Sequence, residues 1–193
     1  SLARRMAVKV LASGLQMDEI DAKRFRREAE VTAGIIHPHI VAVTDCGKTP
    51  DGRHYFVMEF LSGADLATLL AGRGDPLDVS WVVKVCLQVC RALQVVHEAK
   101  VVHRDIKPEN IFLASGPDGE PDFVKVVDFG IARVEDQGMR LTRLTRADST
   151  VGTVGYMSPE QARAVEDLDG RTDIYSLAAV LYELLTRELP IPG

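Results

Sequence analysis

Cysteine is scarce: Cys46, Cys86 and Cys90 are the three in 193 residues. Three thiols do not make a disulfide framework, which excludes the small stapled folds of secreted proteins and points to a reducing, cytoplasmic setting. No leader is visible, since Ser1-Leu2-Ala3-Arg4-Arg5 runs straight into a short alternating segment. Long apolar runs are lacking too. Ile174–Leu185 is interrupted by Ser176 and Glu183 and is too short to span a bilayer, so no membrane segment is expected within the chain. The net charge of −5 carries no bulk attraction for nucleic acid. There is no internal repeat and no low-complexity tract. There is no G-x-x-x-x-G-K-[ST] loop, and Gly72-x-Gly74 lacks the third glycine of a dinucleotide fingerprint.

What is present is a globular balance, 46% hydrophobic and 26% charged, enough for one domain or two small lobes. Met6–Leu11 reads as a strand on which Ala7, Lys9 and Leu11 share a face. Asp18–Gly34 reads as a helix with Phe25, Glu28, Ala29 and Thr32 on one side. Ile40–Thr44 and His54–Phe60 read as strands joined by the Pro50-Asp51-Gly52 turn. Ser62–Asp65 breaks the pattern and marks a lobe boundary. Ser80–Ala99 is a long amphipathic helix with Val82, Val85, Val89, Leu93 and Val96 on its stripe and Ser80 as N-cap. Cys86 and Cys90, one turn apart on it, read as core residues. Val101–Val102 reads as a short buried strand. Ile111–Ala114 and Phe123–Val127 form a hairpin across Gly116–Pro121. Glu135–Thr150 is a polar loop long enough to be functional, and Asp173–Thr186 is a helix. Strands come first and helices afterwards, an α+β arrangement.

Between Val102 and Ile111 lie His103, Arg104, Asp105, Lys107, Glu109 and Asn110. Charge between core segments is costly unless it is paired or used. Asp105, Asn110 and Asp128 are oxygen ligands of the kind Mg²⁺ prefers. Asp128 ends an apolar strand and precedes Phe129-Gly130, so it can aim at a metal. Lys9 and Glu28 supply a cation and an inward-facing partner. A lysine, its carboxylate, a base and two metal ligands are the parts that phosphoryl transfer needs. Taken singly, Lys9 is a snorkelling strand lysine and Glu28 a solvated helix charge; their order and spacing carry the argument.

Ala7-Val8-Lys9, His103–Asn110, Asp128-Phe129-Gly130 and Ser158-Pro159-Glu160 resemble the protein-kinase signature set, in order and over nearly the whole chain. Lys107 and Gly152–Tyr156 resemble the Ser/Thr-specific branch, and Gly155–Ala162 resembles bacterial members of it. The resemblance implies a partial bilobal fold, with residues 1–61 the N-lobe and 62–193 the C-lobe. It implies ATP and Mg²⁺ as cofactors and Ser/Thr hydroxyls of proteins as acceptors, the chain itself among them. Asp105 would take the acceptor proton, with Lys107 near the γ-phosphate. Asn110 and Asp128 would hold Mg²⁺, and Lys9, paired with Glu28, would contact the α- and β-phosphates. Met58 would guard the adenine pocket, Glu59 and Leu61 would bond adenine through the hinge backbone, Ala7 and Phe112 would sandwich it, and Asp65 would meet the ribose. Arg104 would meet a phosphate on Gly138–Val151, where Thr142, Thr145, Ser149 and Thr150 are the acceptor sites. Thr153 would bridge Asp105 and Lys107, and Asp173 would pin the catalytic-loop backbone.

The sequence also departs from that pattern. Eight residues precede Lys9, none a glycine, where the family has a glycine-rich loop, and the family continues with helices after Gly193. The 193 residues alone are therefore expected to fold poorly and transfer phosphate weakly. Two other readings stay in play. A pseudokinase would lack one of Lys9, Asp105, Asn110 or Asp128. A small-molecule phosphotransferase would lack Ser158-Pro159-Glu160 and the phosphorylatable loop.

Overall fold

The computed structural model describes residues 5–10, 34–72, 75–116, 119–129, 153–165 and 167–191. Residues 11–33 of the first third and 130–152 of the polar stretch lie outside them, and of Thr153 the backbone alone is described.

Strands β1 (Met6–Val10), β2 (Val43–Lys48) and β3 (His54–Glu59) form an antiparallel sheet in the order β1-β3-β2. Ala7 pairs with Met58 and Lys9 with Phe56. Alternation along β1 turns its valines outward, Val8 at 61% exposure, and leaves Ala7 and Lys9 half-buried. A strand that exposes valine and turns lysine inward is arranged around that lysine.

The β2 strand departs from the predicted Ile40–Thr44. Residues 39–41 pair instead with the second sheet: Val41 N donates to Val126 O at 3.0 Å and Val126 N to His39 O at 2.9 Å. That use of the backbone leaves β2 to begin at Val43.

A second antiparallel sheet joins β4 (Gly63–Asp65), β5 (Ile111–Ala114) and β6 (Phe123–Val126) in that order. The β5–β6 hairpin is the one predicted. The strand β4 is not; it falls in the stretch expected to be a break. Gly63 makes it possible, because a Cβ there would stand 2.0 Å from Leu113 O and its φ is +148°. A side chain at that φ is strained as well as crowded.

Helix α1 (Leu66–Ala71) follows, then α2 (Val79–Glu98). The predicted stripe is correct, with Val82, Val85, Val89, Leu93 and Val96 all buried. Each such side chain contributes about 1.5–3 kcal/mol. The N-cap is Asp78 rather than Ser80: its carboxylate accepts from Trp81 N at 3.0 Å and from the Ser80 hydroxyl. Cys90 is exposed, not core, while burial pushes the half-buried Cys86 thiol up to about 11. By length and composition alone α2 could cross a bilayer, a stretch longer than Ile174–Leu185, yet it is the core helix, packed on β6.

Val101 and Val102 form no strand. Val101 N caps α2 through Val96 O at 3.0 Å. The backbone beyond is held by side chains rather than by a sheet. A 3₁₀ turn (Pro108–Asn110) leads into β5 and another spans Thr153–Tyr156. Helix α3 (Pro159–Ala162) precedes α4 (Arg171–Thr186), which starts two residues before the predicted Asp173 and buries Asp173, Leu177, Val180 and Leu184.

Candidate active site

Asp105 lies on a loop anchored at both ends and in the middle. Ile106 is 1% exposed and packs in the core. His103 is fully buried: its Nδ1 accepts from Asp105 N at 3.2 Å and its Nε2 donates to Val127 O at 2.9 Å, which assigns the Nε2–H tautomer. Its ring meets the Phe129 ring edge-on at 4.5 Å. Asp173, on α4, holds the backbone before Asp105. One carboxylate oxygen accepts from His103 N at 2.8 Å and the other from Arg104 N at 2.7 Å. His97 Nε2 donates to the same carboxylate at 2.7 Å. Charged acceptors make such bonds roughly twice as strong as neutral ones.

The loop brings three of the predicted residues together. Lys107 Nζ stands 3.0 Å from Asp105 Oδ2. Asn110 Nδ2 donates to Asp105 O at 2.7 Å and to Asp105 Oδ2 at 2.9 Å. This leaves Asp105 Oδ1 as the open acceptor of the carboxylate among the described residues.

Asp128 is beside this cluster, because Val127 N donates to Asn110 O at 3.0 Å. Its φ of +64° turns the chain sharply after β6. Lys9 Nζ reaches it at 2.6 Å, which ties the first sheet to the second. Glu28, the predicted partner of Lys9, lies outside the described residues, as do Thr142, Thr145, Ser149 and Thr150; the Thr153 side chain does too.

The donor set fits Mg²⁺. Asn110 spends its NH₂ on Asp105, which turns Oδ1 to the other side, and Asp128 supplies a carboxylate; both are hard oxygen ligands. No group of three or more His, Cys, Asp or Glu able to hold a metal occurs among the described residues. Few protein ligands, the rest coming from water and phosphate, is the usual pattern for this ion.

At the hinge predicted from the sequence, Met58 and Leu61 are half-buried at the end of β3 and just beyond it. Glu59 is held from several sides. Its N donates to Ala42 O at 3.0 Å, and its Oε1 accepts from Ala42 N at 2.8 Å and from Lys125 Nζ at 2.7 Å. Lys125 also donates to Ile40 O at 3.2 Å. Phe112 pairs with both Asp65 and Lys125 across the second sheet. Asp65, expected at a ribose, caps α1, accepting from Thr68 N at 2.7 Å and Thr68 Oγ1 at 3.1 Å.

Sequence reasoning missed Lys125, His97 and Gln161. The signal for Gln161 was legible as Ser158-x-x-Gln161, a capping box. Lys125 and His97 act on partners 66 and 76 residues away, and no local spacing announces them.

The comparisons with known proteins agree with this geometry. The family model described as protein kinase domain matches residues 2–193. The chain belongs to the protein kinase family. This kinase chain is 44% identical over 190 residues to the serine/threonine-protein kinase pkn3 of Myxococcus xanthus, covering 98% of the chain and 34% of that protein. It is 42% identical over 196 residues to the serine/threonine-protein kinase PknB of Mycobacterium tuberculosis, covering 100% and 30% respectively. Among solved structures it is similar to the PknI kinase domain of Mycobacterium tuberculosis, with TM-score 0.75 and 31% identity over 97% of the chain and 66% of that domain. The kinase chain thus spans about a third of the curated relatives' length. The α+β, partial bilobal kinase fold read from the sequence is the one the structure has.

Proposed function

We propose that the protein is an ATP- and Mg²⁺-dependent Ser/Thr protein kinase. The observation that carries this is the Asp105–Lys107–Asn110 cluster held beside Asp128 and Lys9. Asp105 Oδ1 orients the acceptor hydroxyl and takes its proton, while Lys107 and Asn110 fix the other oxygen. Lys107 offers its charge to the transferring phosphoryl group. Bound Mg²⁺ would neutralise phosphate charge, held by Asn110 and Asp128. Lys9, paired with Glu28 in the working state, contacts the α- and β-phosphates. Met58, Ala7 and Phe112 enclose adenine, the Glu59 and Leu61 backbone bonds it, and Asp65 reaches the ribose.

Residues 1–61 act as N-lobe and 62–193 as C-lobe. Arg104 pairs with a phosphate on Thr142, Thr145, Ser149 or Thr150, with Thr145 and Thr150 favoured, and Thr153 bridges Asp105 and Lys107. The partners are proteins bearing Ser or Thr acceptors, the kinase itself included, and not nucleic acid. The catalytic domain works in the cytoplasm without a membrane segment of its own.

The test is phosphotransfer by the full-length protein from ATP to a Ser/Thr-rich protein acceptor, with sites read by mass spectrometry. Asp105→Asn is expected to lower kcat by about 10²–10⁴-fold, the usual worth of a general base. Transfer that is absent from the wild type with Mg²⁺, or undiminished in Asp105→Asn, overturns the reading.

A further inference from the structure

The backbone around Asp105 is held in an unfavourable conformation. Arg104 has φ +68°, in the left-handed region that a side chain disfavours. A conformation of that kind persists where surrounding groups over-determine it. The peptide unit joining Arg104 to Asp105 is gripped from both edges. Its N–H donates to His103 Nδ1 at 3.2 Å, and its carbonyl oxygen, Arg104 O, accepts from Gln161 Nε2 at 2.7 Å. That peptide carries the Cα of Asp105, so its tilt sets where the Asp105 carboxylate points.

Gln161 is itself clamped. Its Oε1 accepts from Ser158 N at 3.1 Å, and its own N donates to Ser158 Oγ at 3.2 Å. Ser158 is 1% exposed, with its Oγ 3.1 Å from Thr172 Oγ1 on α4. One amide orientation satisfies both ends: oxygen to the Ser158 N–H, nitrogen to the Arg104 carbonyl. A carboxylate in its place could cap α3 but could not donate to Arg104.

We propose that Gln161 is a positioning residue for phosphoryl transfer, which holds the Arg104–Asp105 peptide through its side-chain amide and so couples the Ser158–Ala162 segment to the base. This rests on the kinase reading above. It adds a residue outside the cluster that does the chemistry, and it gives the capping box a second task.

Gln161→Glu separates the two tasks, because glutamate keeps the cap and loses the donor. In the full-length protein at pH 8, kcat is expected to fall about 10–100-fold, with KM for ATP within twofold and the melting midpoint only modestly lowered, since the cap is kept while a carboxylate now faces Arg104 O. Gln161→Ala is expected to lose kcat and melting midpoint together. A protonated glutamate can donate to Arg104 O, so the kcat ratio of Gln161→Glu to wild type is expected to rise as the pH falls from 8 to 5.5. Amide exchange over residues 103–107 should quicken in Gln161→Glu, a readout that does not depend on turnover. A wild-type kcat in Gln161→Glu, a ratio flat with pH, or unchanged exchange overturns the assignment. A wild type that transfers no phosphate overturns the kinase reading instead, and the exchange measurement still decides the role of Gln161 on the loop.

Discussion

Replacing Asp173 by asparagine exchanges a carboxylate with two accepting oxygens for an amide with one. Three donors converge on that carboxylate: His103 N at 2.8 Å, Arg104 N at 2.7 Å and His97 Nε2 at 2.7 Å. The side chain is fully buried, so no water replaces a lost acceptor. Asparagine can serve one carboxylate edge, and its NH₂ then faces a donor on the other. A bond to a charged group is worth about 1.5–3 kcal/mol, and an orphaned buried N–H costs about 1–3 kcal/mol. These overlap, since the loss of the bond includes the orphan, so the expected loss is about 2–4 kcal/mol. Urea unfolding of the kinase, followed by the fluorescence of Trp81, measures it. With a slope of about 2 kcal/mol/M the midpoint should drop by about 1–2 M. The kcat should fall at least about tenfold as the loop before Asp105 loosens. Gly170→Ala provides a graded comparison. Its Cβ would lie 2.6 Å from His97 Nδ1, so it displaces the His97 donor and leaves the two backbone bonds in place. Its penalty should be the smaller of the two. An Asp173→Asn midpoint within about 0.2 M of wild type would refute the idea that this carboxylate holds the loop.

Lys125→Met breaks the Glu59–Lys125 pair, whose side chains are 16% and 15% exposed. It should cost about 1–3 kcal/mol and raise KM for ATP several-fold while kcat stays close to wild type, since the proposed hinge is loosened and the proposed base is not; steady-state kinetics with varied ATP would show a changed kcat instead if the pair served chemistry. Burial, above all, holds the His37 and His39 imidazoles below their ordinary value. The unfolded chain therefore takes up protons first, so stability is full above about pH 6.5 and is lost as the pH falls below it. His39→Asn keeps a donor for Val124 O, now 3.0 Å from Nδ1, and should flatten part of that slope between pH 7.5 and 5.5; an unaltered slope in urea unfolding contradicts the assignment. Gly63→Ala meets Leu113 O at 2.0 Å and should cost at least about 2 kcal/mol; thermal melting within 1 °C or so of wild type would mean that β4 shifts freely.

The residues proposed to do the chemistry were legible because they are close in sequence. Asp105, Lys107 and Asn110 meet across five positions, and turn chemistry at Gly116–Pro121 announces the hairpin that carries Asp128. The α2 stripe was legible from its 3.6-residue period. Other features depend on partners that periodicity does not name. Ile40 and Val41 look like half of a hairpin until β6 claims the backbone of His39 and Val41, on either side of Ile40. Val101–Val102 looks like a strand, yet the backbone donors just after it are satisfied by Asp173, 70 residues on. Asp78 outcompetes Ser80 as cap because it accepts from the Ser80 hydroxyl as well as from Trp81 N. Gly63 reads as a breaker by composition, while in space it is what lets two strands approach.

The β5–β6 hairpin has a practical use. The proposed metal ligands lie at one end, with Asn110 just before β5 and Asp128 two residues after β6. The reversal is at the other end, closed by Gly116 N to Glu120 O at 2.8 Å and Gly119 N to Gly116 O at 3.0 Å. Four-residue strands separate the two by about 10–13 Å. A fluorophore or short affinity tag placed between the exposed Glu120 and Pro121 would therefore ride on the far end of the hairpin, away from the Asp105–Asn110 cluster, and would report its tilt without entering it.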